Sequence, residues 1–329
     1  MPDSYLLLFV LFLILCAEFV NGWTDAPNAI ATVVSTRVLS PYRAVFMATI
    51  FNFLGTLSGI AVASTIGKGI VEAESISLIT VAAAMIGIVF WSSLAAYYGI
   101  PTSESHALVA GLAGAGLATA GPSVLLAEGW RKVFIGLLFS SVFGFFGGFF
   151  IMISIMWIFR RTHPGRINVL FRVLQLFSSG FMAFSHGSND GQKFMGVFAL
   201  ALCLGGVMNT FYIPLWVKII CALTMGIGTA TGGWKIIKTM GVKMTKLEPV
   251  HGFAAETAAA TIIETASRFG IPLSTTHTID TAIMGVGSSK RVSAVRWGVT
   301  MEIVSAWILT FPVCGAIAWA FTKLVNLLF

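Results

Sequence analysis

The sequence predicts an all-α polytopic membrane protein made of two inverted repeats, and three observations support this fold class. Of the 329 residues, 57% are hydrophobic and only 10% are charged, and the mean hydropathy is +0.91. The apolar runs extend over roughly 15 to 25 residues, which is the length of membrane helices rather than of alternating barrel strands. Two polar motifs also recur, in the same order, in both halves of the chain.

The composition also excludes several classes of protein. A soluble domain carries about 25% charged residues to cover its surface, and this chain cannot supply such a surface. We therefore exclude a soluble enzyme, a disordered protein and a nucleic-acid-binding protein. The net charge of +7 indicates basic loops on one side of a membrane instead.

The apolar segments divide into five for each half. They lie at about 5–35 (interrupted), 42–66, 76–100, 105–127, 133–159, 169–206 (interrupted), 211–232, 253–271, 276–288 and 297–325. The stretch 160–172 is the most hydrophilic. We predict a first membrane repeat at 1–160, a cytoplasmic linker at 161–172 and a second membrane repeat at 173–329. Because each half crosses the membrane an odd number of times, five, the second copy enters from the opposite side and is inverted. If the third and fourth segments form a re-entrant hairpin, three crossings remain, which is also odd, so the inversion still holds.

The positive charges predict the orientation. With alternating loops, 13 Lys and Arg residues fall on one side of the membrane and 4 on the other. The positive-inside rule makes the first side cytoplasmic, so both termini are expected outside.

The first recurring motif carries Asp25 and Asp190, at an offset of 165 residues. A carboxylate at mid-membrane costs about 2.5–3.5 kcal/mol on insertion scales, so it needs a partner. Gly22 and Pro27 flank Asp25, and Gly187 and Gly191 flank Asp190; these residues predict broken helices, which expose backbone groups to ions. Four carboxamides accompany the acids: Asn21, Asn28, Asn189 and Gln192. We predict an oxygen-rich cation or proton site; the alternative is polar helix–helix contact with glycine for close packing.

The second motif is Gly-Ile-Pro-x-Ser-x-x-His, at 99–106 and 270–277. Its proline opens a new helix, and helix N-termini with free amides and hydroxyls bind anions. The hydroxyl-bearing residues are Thr102, Ser103, Ser105, Ser274, Thr275 and Thr276. Two such termini could hold one tetrahedral oxyanion. The alternative is that each serine merely caps its helix.

Three residues are candidates for proton transfer: His106, His277 and Glu256. For the histidines, a hydrogen bond to a neighbouring carbonyl is the alternative. Lys193 stands where the first copy has Asn28, so the site is asymmetric. This lysine could pair with Asp190 or meet an anion, and a purely structural ion pair is the alternative.

At these residues the sequence resembles the inorganic phosphate transporter family of the Pit type. The matches are 22–29, 185–193, 99–106 and 270–277, which correspond to a G-A-N-D-type signature and a G-x-P-x-S-x-x-H-type segment in each half. The resemblance implies a secondary active transporter that moves phosphate with a cation. It also implies two inverted repeats with broken helices and hairpins, and a substrate held near the midplane. Carried over residue by residue, the ion and phosphate site would contain Asp25, Asn28, Asp190 and Gln192, with hydroxyls from Thr102, Ser103, Ser274, Thr275 and Thr276.

The first signature departs from the family pattern, because Trp23 and Thr24 stand where sodium-driven relatives tend to have Ala-Asn. The chain looks more like the bacterial proton-driven members, which take up phosphate partly as a neutral metal–phosphate complex. We therefore expect a symporter of the bacterial inner membrane, with H⁺ slightly favoured over Na⁺, no cofactor, and a divalent metal carried with phosphate. The expected partners are phosphate and the lipid bilayer. The sequence leaves open whether the protein forms a homodimer or binds a cytoplasmic regulator.

Two alternative functions remain at this point. A sulfate permease of the same family would carry another tetrahedral anion, but phosphate is protonated at neutral pH and a carboxylate can select it. A membrane-embedded phosphate-ester hydrolase needs one nucleophile and one base in a single site. The serine and histidine motif occurs twice, as a carrier requires, so we expect no enzyme.

Overall fold

The computed structural model describes residues 3–328, which are almost entirely helical, as predicted. This part of the chain contains no β-strand, only an isolated bridge between Val71 and Leu125. Twelve α-helices follow one another: α1 Asp3–Ser35, α2 Pro41–Leu57, α3 Ala61–Gly69, α4 Leu78–Tyr98, α5 Glu104–Ala120, α6 Ala127–Ile158, α7 Pro164–Leu204, α8 Leu215–Thr231, α9 Trp234–Lys238, α10 Pro249–Arg268, α11 Thr275–Lys290 and α12 Trp297–Leu328. A π-helical turn, Thr239–Lys243, extends α9.

The order of elements is repeated, with α1–α6 in the first half and α7–α12 in the second. Each half has a long first helix, a bent helix pair, a helical hairpin and a long last helix. The bends measure 67° between α2 and α3 and 61° between α8 and α9. This order confirms the predicted class, with broken helices and hairpins. The inversion of the second half stays a prediction, and the repeated order is compatible with it.

The predicted positions of the helix breaks were wrong. The first helix continues through Asp25, with Pro27 inside it, and α7 runs unbroken through Asp190 for 41 residues. The breaks lie at the α2–α3 and α8–α9 bends instead. The glycines beside the acids allow close packing: a Cβ atom at Gly22 would lie 2.3 Å from the carbonyl oxygen of Met225, and one at Gly187 would lie 2.2 Å from that of Asn52.

The polar stretch at 160–172 is mostly helix rather than loop. Helix α6 ends at Ile158 and α7 begins at Pro164, so only five residues join the two halves. Proline suits the first helical position because its missing N–H would have no partner there. The assignment of this connection to the cytoplasm stays a prediction.

The two halves are interlocked. Helix α1 packs on α8 and α7 packs on α2, while α5 packs on α12 and α11 packs on α6. Glycines mark equivalent crossings: a Cβ atom at Gly114 would lie 2.1 Å from the Gly315 carbonyl oxygen, and one at Gly285 would lie 1.9 Å from that of Phe145. The elements that carry the recurring motifs are thereby held between the halves.

Among the described residues, five helices are long and apolar enough to cross a membrane, and up to seven spans result if each bent pair counts as one. The five are α1, α4, α6, α7 and α12. Large apolar side chains, such as Phe139 and Phe143, are exposed on the outer helices. An outer surface of this kind suits lipid rather than water.

Candidate functional site

The two hairpins turn through the same local structure. Gly99 and Gly270 follow α4 and α10 with φ of 73° and 65°, a backbone conformation that favours glycine. Beyond each proline, a serine caps the next helix: Ser103 accepts a hydrogen bond from the His106 amide at 3.3 Å, and Ser274 accepts one from the His277 amide at 3.1 Å. The helix starts predicted from the second motif are therefore present.

The two helix starts contact each other reciprocally. The Ser105 hydroxyl donates to the Leu273 carbonyl at 2.9 Å, and the Thr276 hydroxyl donates to the Thr102 carbonyl at 3.1 Å. Ser105 and Thr276 are equivalent in the two motifs, and so are Thr102 and Leu273. The N-termini of α5 and α11 thus meet in the interior, with their free amides and hydroxyls on one local centre.

The acids of the first motif also meet there. One carboxylate oxygen of Asp25, one of Asp190 and one ring nitrogen of His186 all lie within 4.8 Å of one another, and all three side chains are buried. Asp190 accepts from Thr275 at 2.8 Å and also pairs with Lys193. Within residues 3–328, Asp25 Oδ2 has no hydrogen-bond partner.

His186 faces this pair of acids with one ring nitrogen. Its Nδ1 lies 3.0 Å from the Asn52 side-chain oxygen, while the Asn52 amide donates to Thr229 at 3.0 Å. His186 Nε2 faces Asp190 Oδ2 at 3.4 Å. Two buried carboxylates and an imidazole thus converge on one point, where a proton or a cation would offset the negative charge.

Asn28 links the acid centre to the helix starts. Its amide donates to Thr276 at 3.0 Å and to Thr275 at 3.4 Å. Thr275 in turn donates to Asp190, so one hydroxyl connects α1, α7 and α11.

Two residues of the predicted site lie elsewhere. The side-chain oxygen of Gln192 accepts from the Val62 amide at the start of α3, at 3.1 Å. The Asn189 amide donates to Ser267 on α10 at 2.9 Å. The Asn189 amide also donates to the Ile271 carbonyl, in the turn before α11, at 3.4 Å. Gln192 is therefore directed toward α3, whereas Asn189 joins α10 and the turn before α11.

The candidates for proton transfer form two other groups. The rings of His106 and His277 are in edge-to-face contact, with 4.5 Å between their centroids. They line an apolar cavity of about 700 Å³ together with Trp307 and Phe311. Glu256 lies apart from them and accepts hydrogen bonds from three side chains: Thr32 at 2.5 Å, Gln175 at 3.0 Å and Ser178.

Sequence reasoning missed three kinds of contact. His186 stood in the second signature without a role, although it lies four residues before Asp190. Glu104 is buried and accepts from Thr24 at 3.0 Å and from Ser92 at 2.8 Å. The donors that surround Glu256 come from α1 and α7, and no spacing within the sequence indicates such contacts between distant helices.

Comparison with known proteins places this geometry in context. The model of the "Phosphate transporter family" matches residues 21–169 and 160–318. A "Probable low-affinity inorganic phosphate transporter" of Rhizobium meliloti (strain 1021) is 45% identical over 92% of this chain and 91% of its own length. A protein of the same description from Bacillus subtilis (strain 168) is 38% identical over 97% of this chain and 99% of its own length.

A solved structure shares the fold. It is described as "The sodium-dependent phosphate transporter" and has a TM-score of 0.91 to this chain at 24% sequence identity, covering 99% of this chain and 100% of that one. The similarity supports the overall fold.

Proposed function

The chain belongs to the phosphate transporter family, and on that premise we propose that it is a symporter that takes up inorganic phosphate across a bacterial inner membrane with a cation. It is a membrane-embedded transporter and not an enzyme. The observation that supports symport most strongly is the pairing of two buried acids with two capped helix starts. One part of this centre attracts an anion and the other attracts a cation.

Phosphate would bind where the N-termini of α5 and α11 meet. Helix N-termini carry free amides and about half a positive elementary charge, which favours anions. Ser103, Ser105 and Ser274 supply hydroxyls, and Thr102, Thr275 and Thr276 complete the set. We leave Gln192 outside this group because its side chain faces α3.

The coupling cation would bind beside Asp25 and Asp190. Their oxygens and His186 Nε2 form an acceptor group that either a proton or a small metal cation satisfies. Asn28 would couple cation binding at this group to the position of α11, because it donates hydrogen bonds to Thr275 and Thr276. We prefer H⁺ over Na⁺, because Trp23 and Thr24 replace the Ala-Asn that is typical of sodium-driven relatives. Asn189 would act through the helices, since it bonds to Ser267 on α10 and to the Ile271 carbonyl before α11.

Coupling follows from charge. A bare phosphate anion or a bare buried carboxylate is costly in a medium of low dielectric constant, whereas a cation bound between them offsets the negative charge of both. As the halves rearrange about it, the loaded site then changes its access from one side of the membrane to the other. Both termini lie outside in this arrangement. A divalent metal that travels as a neutral metal–phosphate complex would lower the charge further. Sulfate is the rival substrate, but it offers no proton for a carboxylate to accept at neutral pH.

The test is phosphate uptake by proteoliposomes under pH and sodium gradients imposed separately. We expect the wild type to accumulate labelled phosphate under the pH gradient and Asp190→Asn to lose this accumulation. Glu302→Gln, an exposed acid on α12, is the matched control and should accumulate phosphate like the wild type. Undiminished, equally coupled uptake by Asp190→Asn would contradict the role of this acid. Equal competition by sulfate would contradict selectivity for phosphate.

A further inference from the structure

We propose that the Lys193 ammonium is a built-in cation that permanently fills one of two equivalent cation positions, so that the second half of the protein binds no dissociable cation. This inference rests on the proposed cation-coupled transport of phosphate. It adds a determinant of how many cations accompany each phosphate.

The surroundings of the ammonium are those of a metal cation. Lys193 is completely buried on α7, and its Nζ contacts three oxygens of three chemical kinds. These are the Asp190 carboxylate, the Ser105 hydroxyl and the Leu273 carbonyl, the last at 3.0 Å. Carboxylate, hydroxyl and carbonyl oxygens are also the ligands of hard cations in proteins. The ligands come from both halves, because Ser105 lies in the first turn of α5 while Asp190 and Leu273 belong to the second repeat.

The repeat relation identifies the equivalent position in the first half. Lys193 corresponds to Asn28 at the offset of 165 residues, and Ser105 corresponds to Thr276 at the offset of 171. The contact is preserved across this relation, since Lys193 bonds to Ser105 and Asn28 bonds to Thr276. A carboxamide carries no charge, so the position beside Asp25 has no built-in cation.

The partners that neutralise the two acids differ accordingly. Asp190 has an ammonium on Oδ1 and the Thr275 hydroxyl on Oδ2. Asp25 has an oxygen with no partner in the described part of the chain. Of these two acids, only Asp25 therefore stays without a fixed counterion, and a single dissociable cation beside it neutralises the pair. Another buried acid, Glu104, accepts hydrogen bonds from two hydroxyl donors, Thr24 and Ser92, instead.

A tethered cation has a distinct consequence for coupling. A free cation is released with phosphate and adds its charge and its gradient to each cycle. The Lys193 ammonium returns with the empty protein, so it neutralises Asp190 in every state and contributes no transported charge. A chain with asparagine at position 193 would need a second free cation to neutralise Asp190.

The experiment compares Lys193→Asn with the wild type and with Lys218→Asn, a lysine on α8 outside the site. Phosphate uptake by proteoliposomes is measured in sodium chloride and in choline chloride, and transported charge is recorded in parallel. In choline chloride at alkaline pH, where small metal cations are absent and protons are scarce, we expect uptake by Lys193→Asn to fall about a hundredfold below the wild type in the same medium, because a buried carboxylate has lost its charged partner. Sodium should restore this uptake and raise the charge carried per phosphate by about one elementary charge relative to the wild type.

A second measurement does not depend on transport. Sodium should raise the thermal unfolding temperature of detergent-solubilised Lys193→Asn and should lose this effect in Lys193→Asn/Asp190→Asn, where the carboxylate ligand is absent. Uptake by Lys193→Asn that equals the wild type in choline would overturn the proposal. So would a folded Lys193→Asn that sodium neither stabilises nor reactivates.

The wild type alone keeps the proposal testable if Lys193→Asn does not fold. We expect the wild-type uptake rate to depend on the coupling cation with a Hill slope of about one, since a single cation position is open. A slope approaching two would refute the built-in cation. Absence of phosphate uptake by the wild type under every gradient would instead refute the proposed function.

Discussion

Substituting Gly187 with alanine tests why glycine accompanies the buried acids. Gly187 lies on α7, three residues before Asp190, where α7 crosses α2. A Cβ atom there would lie 2.2 Å from the Asn52 carbonyl oxygen, and backbone atoms cannot yield as a flexible side chain does. Carbon and oxygen approach to about 3.3 Å at closest, so the two helices would have to separate by about 1 Å.

The expected cost of Gly187→Ala follows from that separation. Overpacking of a well-packed core costs about 1–3 kcal/mol, and the change also displaces Asn52 from His186. We expect a lower thermal unfolding temperature in detergent and reduced phosphate uptake. Gly226→Ala is the matched control, because the nearest atom to its new Cβ, on Thr49, lies at 3.7 Å.

The control variant, Gly226→Ala, should not lower the thermal unfolding temperature. Alanine favours a helix over glycine by about 1 kcal/mol, so Gly226→Ala should unfold at the wild-type temperature or above it. Equal stability of the Gly187→Ala and Gly226→Ala proteins would refute the close-packing explanation.

Two further predictions concern hydroxyl donors to buried acids. Thr275→Val removes the donor to Asp190 while keeping the shape, and a hydrogen bond to a charged group is worth about 1.5–3 kcal/mol. We therefore expect the phosphate uptake rate of Thr275→Val to be at least about tenfold lower than that of Thr275→Ser, which keeps the hydroxyl. Equal uptake rates of the two variants would argue against this bond. Ser178→Ala removes one of three donors to Glu256 and should lower the thermal unfolding temperature, whereas Ser178→Thr should restore it; a wild-type unfolding temperature for Ser178→Ala would contradict a stabilising role of this donor.

The fold class could be predicted because it depends on the length and spacing of patterns within the sequence. Apolar runs of membrane length give helices whatever their partners, and the two recurring motifs placed equivalent elements in both halves. The hairpin turns were also predictable, since a glycine followed by Ile-Pro ends one helix and begins the next. Ser105 and Thr276 occupy equivalent positions in the two motifs, so their reciprocal hydrogen bonds follow once the N-termini of α5 and α11 meet.

The broken helices at the acids were predicted wrongly because glycine has two uses that look identical in a sequence. Gly22 and Gly187 could either weaken a helix or admit a neighbouring backbone. Only the approach of Met225 and Asn52, from distant parts of the chain, decides between them. The relevant interaction lies between helices and leaves no local pattern.

That error also concealed the correct set of residues around Asp190. On a continuous helix, residues three and four positions away share a face, which places His186 and Lys193 beside this acid. Gln192 lies two positions away, about 200° around the helix, and its side chain faces α3 instead. Helical periodicity applied to an unbroken α7 would have found His186 and would have left out Gln192.

The central claim is that one centre binds the anion and the cation together, and binding linkage tests it most directly. The measurement is the Kd of phosphate for the purified protein across a series of coupling-cation concentrations, in the wild type and in Asp25→Asn. We predict that phosphate binds the wild type more tightly as the cation concentration rises, and that Asp25→Asn loses this dependence. An Asp25→Asn protein that retains the full dependence would contradict the claim.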